Sequence, residues 1–369
     1  MNSLIALDLA GGQRFVDELS RAWDNGDAVL PIDQRLATHA KRALMTQMRA
    51  SRVIDETGST SLDGGQETES DDALVVATSG TTGQAKGVVL THAAVLASAL
   101  ASSRALEVDV NDHWLACLPL CHVGGLSVVT RALLTGNALT VMHGFDAQEV
   151  TRAAHDCNLV SLVPTALQRI DPRLFRTILL GGSRPPNPRP ANTIATYGLT
   201  ETGSGVVYNG VPLDGVEISF TIDDEILLRS PMNMRSYRNG ETCIDSVGWL
   251  HTGDIGRLLP NGNLSVEGRR DDMITSGGEK VWPEAVEDAL RTLLNEQDFA
   301  IIGLDDQEWG QKVVLVSTAI DLDIAEVRAH VNQTLPMYCA PKDIYHLPSI
   351  PRTALGKVQR HIIAEALLH

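Results

Sequence analysis

Residues 78–87 read TSGTTGQAKG. They supply four hydroxyls (Thr78, Ser79, Thr81, Thr82), three glycines (Gly80, Gly83, Gly87) and one amine, Lys86. Glycines let backbone N–H groups turn toward a ligand, hydroxyls add donors, and the ammonium adds charge; together they suit phosphate oxygens. The order is not that of the Walker loop, where Gly-Lys-Ser/Thr are consecutive; here Ala85 precedes Lys86 and Gly87 follows it. A flexible surface turn shares this composition, but the apolar run ALVVA just before it reads as a buried strand and favours phosphate binding. A second stretch, YGLTE at 197–201, ends in Glu201, a carboxylate able to hold a hard cation that bridges phosphate oxygens. Cys117, Cys121 and His122 lie close in sequence and raise the question of a metal. No second cysteine pair completes a four-ligand set, so these cysteines read as buried small hydrophobes.

These residues need a scaffold. Residues 55–72 are polar, acidic and rich in Gly, Ser and Thr, as a loop is. After them, short apolar runs at 73–77, 114–118, 138–142, 159–163 and 177–180 alternate with helical patterns such as the Ala-rich 93–106. That alternation predicts an α/β domain with mostly parallel sheets flanked by helices. From about residue 216 the pattern turns to short strands separated by turns, with Asn-Gly at 239–240 and 261–262, which predicts a small hairpin or barrel-like region. Beyond the charged turn GRRDD at 268–272, Pro283 opens a helix, two apolar strands follow, and further helices close the chain. This last part reads as a small α+β domain of about 100 residues.

With 369 residues the chain is long enough for two domains. Its 30 Lys and Arg against 46 Asp and Glu give a net charge of −16, which repels nucleic-acid backbones and anionic membranes. Aromatics at 4% are too few for a base-stacking platform. No apolar run approaches a membrane span, and the N-terminus lacks the pattern of a signal peptide, so no membrane insertion and a cytoplasmic location are expected. Five scattered cysteines fit reduced thiols better than a disulfide framework.

The word TSGTTGQAKG resembles the phosphate-loop signature of the adenylate-forming acyl/aryl-CoA ligases. Further words follow in the order of that superfamily: the Gly181-Gly182-Ser183 turn, YGLTE, WLHTGD at 249–254, GRRDD at 268–272, SGGEK at 276–280 and PRTALGK at 351–357. Each alone is weak, since Asp254 suits a turn, and Arg269 and Lys357 suit a surface. Their order over most of the chain carries the resemblance. It implies that residues 78–83 and Lys86 hold the ATP phosphates, that Gly182 and Ser183 pass close to nucleotide and acid, and that Tyr197 lies against adenine. It places Thr200 near the α-phosphate, Glu201 on magnesium, Asp254 and Arg269 on the ribose, and Gly198 beside the acid. It further implies that Lys357 drives adenylation, that Gly278 meets the pantetheine of coenzyme A, and that residues 272–369 swing about a hinge at 269–271 centred on Asp271, with 1–268 as the nucleotide- and acid-binding domain. Magnesium, ATP and coenzyme A are the implied cofactor and co-substrates, and a homodimer is left open.

The phosphate loop begins at residue 78, much earlier than in most of that superfamily, so part of the usual N-terminal scaffold is missing. Short chains of this kind resemble the o-succinylbenzoate–CoA ligases of menaquinone biosynthesis. Three local words carry that resemblance: GDAVLPID at 26–33, PLCHVGGLS at 119–127 and FRTILLGGSRPP at 175–186. His122, in the second word, matches a histidine of the acid pocket there; a packed core histidine is the other reading. Another aryl- or short-acyl-CoA ligase, a carrier-protein adenylation module and a non-catalytic adenylate-binding relative are the alternatives. The presence of Lys86, Glu201, Asp254, Arg269 and Lys357 speaks against the last.

Overall fold

The chain's α/β architecture is seen in a computed structural model describing residues 2–79, 85–186, 188–294, 297–352 and 358–367. Two compact units divide it: Met1–Ser219 with Leu227–Thr252, and Phe220–Ile226 with Gly253–His369.

The first unit is built on two seven-stranded sheets. In one, the strand Leu4–Asp8 is parallel to both Ala28–Pro31 and Arg52–Asp55, and Ala28–Pro31 is parallel to Asp72–Ser79. Leu4, Ala6, Ala28, Leu30, Val75 and Val89 fill its core without exposed surface to speak of. Residues Asp72–Ser79 then pair antiparallel with Ala85–Thr91 as a hairpin, and Ser236–Tyr237 adds a short antiparallel edge. The sheet is therefore parallel at its centre and antiparallel at the side that bears the predicted phosphate loop.

The other sheet carries parallel strands in the order Ala138–Val141, His113–Ala116, Leu159–Leu162, Thr177–Leu180, Thr193–Gly198. Each of the first four follows from a short apolar run in the sequence; the inner three are largely buried, as strands covered on both faces require, while Ala138–Val141 is the more exposed edge. Gly205–Tyr208 and Val211–Pro212 close this sheet antiparallel. Helices cover it: Thr91 caps His92–Ala105 by accepting from the Ala94 N–H at 3.1 Å, and Gly136, at φ 73°, stops Val123–Thr135.

A four-stranded sheet takes the order Glu217–Phe220, Glu225–Arg229, Leu250–Leu258, Leu264–Arg269. In the second unit, a five-stranded sheet joins Glu279–Val281, Ile274–Ser276, Gly310–Ser317 and Phe299–Asp306, with Asp343–His346 parallel to Gly310–Ser317. Val313, Leu315, Ile301 and Val286 fill one core, and Val314, Val316, Ala300 and Ile363 the other. Pro283 stands in the first turn of Pro283–Leu290, as expected. Residues 253–268 belong to the second unit because Leu250–Leu258 pairs with Leu264–Arg269.

Candidate active site

Both sheets of the first unit present the ends of their parallel strands to the residues singled out by sequence. Open α/β sheets bind ligands outside those carboxyl ends. Thr78 and Ser79 end the strand Asp72–Ser79, and Lys86 enters the return strand opposite Thr78. The Thr78 hydroxyl donates to the Lys86 carbonyl at 3.3 Å. Gly80, Thr81, Thr82 and Gly83 lie outside the described residues. The Lys86 ammonium is 3.3 Å from a Glu241 carboxylate oxygen and 4.7 Å above the Tyr237 ring.

The YGLTE segment closes the strand Thr193–Gly198. The pairing register shifts between Tyr197 and Gly198, where the strand gives way to the turn. Gly198 is glycine for a steric reason: a Cβ there would stand 2.1 Å from the Ser204 carbonyl oxygen. Thr200–Thr202 then forms one 3₁₀ turn, held by the Leu199 N–H donating to the Thr202 hydroxyl at 2.9 Å and by Thr202 donating to the Ser204 carbonyl at 2.8 Å. Tyr197, Thr200 and Glu201 are half-buried.

The Tyr237 hydroxyl donates to Glu201 Oε1 at 2.8 Å. Burial, reinforced by the Glu201 charge beside it, pushes the Tyr237 phenol well above its usual range, so it stays a donor. The other Glu201 oxygen takes no hydrogen bond among the described residues. A half-buried carboxylate with one oxygen fixed and one open fits a hard cation such as magnesium. Tyr237 thus joins Lys86 to Glu201, two residues chosen from separate sequence words.

Gly182 and Ser183 follow the strand Thr177–Leu180 at the same edge of the second sheet. Gly182 takes φ 83°, a conformation costly for other residues, and Ser183 is exposed.

His122 stands at the end of the neighbouring strand loop and precedes the helix Val123–Thr135. Its Nε2 is 3.2 Å from Arg35 Nη2, and Arg35 is bound to Asp33 at 2.7 Å. A guanidinium only donates, so Nε2 accepts and His122 is neutral with its proton on Nδ1. Burial first, and the Arg35 charge second, push its pKa below the ordinary histidine value. Against burial, Arg35 holds Asp33 below the usual carboxylate range. Asp33, Cys121 and His122 each place one donor atom within 4.8 Å of the others. Arg35 already puts a positive charge among them, and burial pushes the Cys121 thiol up to about 12, so the group does not suit a dication. Cys117 is fully buried, as a small hydrophobe.

In the second unit, Asp254 and Arg269 are register partners across two antiparallel strands, and their side chains meet at 3.0 Å. Two residues expected on one ribose therefore share one sheet face. Asp271 is exposed on the 3₁₀ turn Arg270–Asp272. Gly278 is exposed in the turn between Ile274–Ser276 and Glu279–Val281. Lys357 lies outside the described residues.

Sequence reasoning missed Tyr237, Arg35 and Asp33. The pair Ser236-Tyr237 gave one signal, a β-prone residue before the Asn-Gly turn at 239–240. Arg35 gave none.

Residues 25–237 match the family described as AMP-binding enzyme, and residues 285–357 match the AMP-binding enzyme C-terminal domain. A Mycobacterium tuberculosis protein named "Probable 2-succinylbenzoate–CoA ligase" is 36% identical over 328 residues, covering 80% of this chain and 85% of that one. The 2-succinylbenzoate–CoA ligase of Lactococcus lactis is 34% identical over 318 residues, covering 78% and 70%. The o-succinylbenzoate CoA synthetase of Bacillus subtilis, solved in complex with its acyl-adenylate intermediate, superposes with a TM-score of 0.87 at 26% identity, covering 98% of this chain and 88% of that one. By its matched residues, its fold and these relatives, the chain belongs to the AMP-binding enzyme family.

Proposed function

We propose that this protein is an AMP-forming acid–CoA ligase that converts 2-succinylbenzoate, ATP and coenzyme A to 2-succinylbenzoyl-CoA, AMP and diphosphate, in menaquinone biosynthesis. The observation that carries the reading is the Lys86–Tyr237–Glu201 cluster at the carboxyl edge of the sheets, in a chain 36% identical to a protein bearing that activity in its name.

A carboxylate is a poor acyl donor because oxide would have to leave. In the first half-reaction the acid's carboxylate oxygen attacks the α-phosphorus, the bond from that phosphorus to the bridging oxygen breaks, and diphosphate leaves with its electron pair. The product is a mixed anhydride, the acyl-adenylate. In the second half-reaction the thiolate of coenzyme A attacks the acyl carbon and AMP leaves. Both steps ask the protein mainly for charge neutralisation and alignment. Residues 78–83 and Lys86 hold the β- and γ-phosphates. Glu201 holds magnesium, which when bound offsets phosphate charge, and Thr200 lies by the α-phosphate. Tyr197, Gly182, Ser183 and Gly198 shape the adenine and acid pocket, and His122 donates from Nδ1 to the acid. Asp254 and Arg269 take the ribose, Lys357 supplies the ammonium for adenylation, and Gly278 admits pantetheine. Asp271 is the hinge that separates the two half-reactions. The same reading carries a cytoplasmic location and, among assemblies, a homodimer. No helix among the described residues is long and apolar enough to cross a membrane.

The test is AMP release with coenzyme A across o-succinylbenzoate, benzoates and short fatty acids. Release is expected with o-succinylbenzoate and not with fatty acids. Release with fatty acids alone rejects the acid but keeps the ligase chemistry. The runner-up, another aryl- or short-acyl-CoA ligase, is distinguished by the same panel.

A further inference from the structure

We infer that Tyr237 is a positioning residue whose phenol sets the Glu201 carboxylate and whose ring holds the Lys86 ammonium, so that one side chain orients both charges that meet the metal-bound triphosphate. The inference rests on the ligase reading above, since that reading makes Glu201 and Lys86 ligand-binding groups.

The placement follows from strand register. Tyr237 lies opposite Val88 on the antiparallel edge Ser236–Tyr237, and Lys86 is two residues from Val88. Side chains two apart share a sheet face, so Lys86 is the diagonal neighbour of Tyr237. That geometry brings the ammonium over the ring at 4.7 Å, within the range of a cation–π contact. The same ring points its hydroxyl at Glu201 Oε1, 2.8 Å away.

The backbone on both sides is tied down. Glu201 accepts through its carbonyl from the Met234 N–H at 2.7 Å, which fixes its turn against the segment leading to Tyr237. Tyr237 donates its N–H to the Glu241 carbonyl at 2.8 Å, and Gly240 donates back to Tyr237 at 2.9 Å. The Glu201 side chain still has three torsions to order. A phenol that gives its proton to one carboxylate oxygen removes that freedom while leaving the second oxygen open. Cys243 Sγ, 3.6 Å from the same hydroxyl, adds only a weak contact.

Two variants separate the two roles. Tyr237→Phe keeps the ring and removes the donor; Tyr237→Leu removes both. The measurement is titration calorimetry of ATP into the full chain, with magnesium and with chelator, without acid or coenzyme A, beside the melting temperature. Tyr237→Phe is expected to weaken ATP binding about tenfold in magnesium, the scale of one hydrogen bond to a charged group, and to leave binding in chelator unchanged. Tyr237→Leu is expected to weaken both. The inference is overturned if Tyr237→Phe binds ATP in magnesium as the parent chain does. It is overturned too if its loss is equal with and without metal. A parent chain that binds ATP with magnesium but releases no AMP with any acid sinks the ligase reading, and the calorimetric outcomes still decide the role of Tyr237. A parent chain that does not bind ATP overturns both.

Discussion

Two charged centres, one in each unit, treat their charges differently. In the first unit, Lys86 is 42% exposed and its carboxylate partner Glu241 is 62% exposed, with the Tyr237 ring face 4.7 Å from the ammonium. In the second unit, the Arg360 side chain is 10% exposed and stands among three carboxylates: Glu287 at 2.8 Å, Glu284 at 3.3 Å and Asp272 at 3.5 Å. Its Nε also donates to the Ile301 carbonyl at 3.0 Å, and Glu287 accepts from the Ile301 N–H at the same distance. Burial works against the Arg360 charge, but the three carboxylates outweigh it and raise its pKa. The contrast teaches how a chain divides its charges. A centre that must exchange partners with a ligand keeps them within reach of water, and a centre that must hold a fold saturates its donors. Arg360 opens the helix Arg360–Leu367, and Asp272 ends the turn that bears Asp271. The structural centre therefore fastens the C-terminal helix to the segment proposed as the hinge.

The largest expected effect breaks that comparison if it fails. Arg360→Leu leaves Glu287 buried without its cation, and removing one partner of a buried pair costs about 3–5 kcal/mol. Urea unfolding of the full chain should register a loss of that size. Lys86→Ala should leave the unfolding midpoint where it is and weaken ATP binding instead. Equal stability losses from the two variants would erase the distinction between a structural and an exchanging centre.

A middle effect comes from His122, where charge is excluded rather than paired. Its pKa in the folded chain is lowered by burial and by Arg35, so the unfolded chain binds the proton more readily. The folded state is thus at no disadvantage above about pH 6.5, the ordinary histidine value, and loses stability as pH falls below it. Chemical unfolding from pH 8 to pH 5 should show His122→Gln losing less stability than the parent chain over that interval. Parallel curves would mean that His122 titrates as a solvated histidine.

Much of this was legible in the sequence, and the limit is physical. Apolar runs named the parallel strands from residue 73 to residue 180, but not Leu4–Asp8, Ala28–Pro31 and Arg52–Asp55, which lie in a stretch without such a marked run. The phosphate word, YGLTE and the aspartate at 254 stood out through their resemblance to the ordered words of a superfamily; a local backbone demand is visible at Gly198, where the Ser204 carbonyl leaves no room for a Cβ. Pairings were not legible. Tyr237 reaches Glu201 over 36 residues and Arg35 reaches His122 over 87, through strand registers that no local pattern encodes. The antiparallel return at Ala85–Thr91 was hidden for the same reason: no local pattern marks it as the partner of the strand before it.

The smallest effect sharpens the comparison most directly. On the proposed function, Glu241, 3.3 Å from the Lys86 ammonium, competes with an incoming triphosphate for that charge. Glu241→Gln removes the competitor and keeps the shape. An exposed ion pair adds little to stability, so the melting temperature should not move. ATP affinity should rise by a small factor at low salt. That gain should fade as ionic strength rises, since mobile ions screen exposed charges over about 8 Å at physiological strength. Calorimetric titrations at two salt concentrations measure both parts. A fall in ATP affinity would show that Glu241 helps orient the Lys86 ammonium, and would move this ion pair from the exchanging kind of centre toward the kind represented by Arg360.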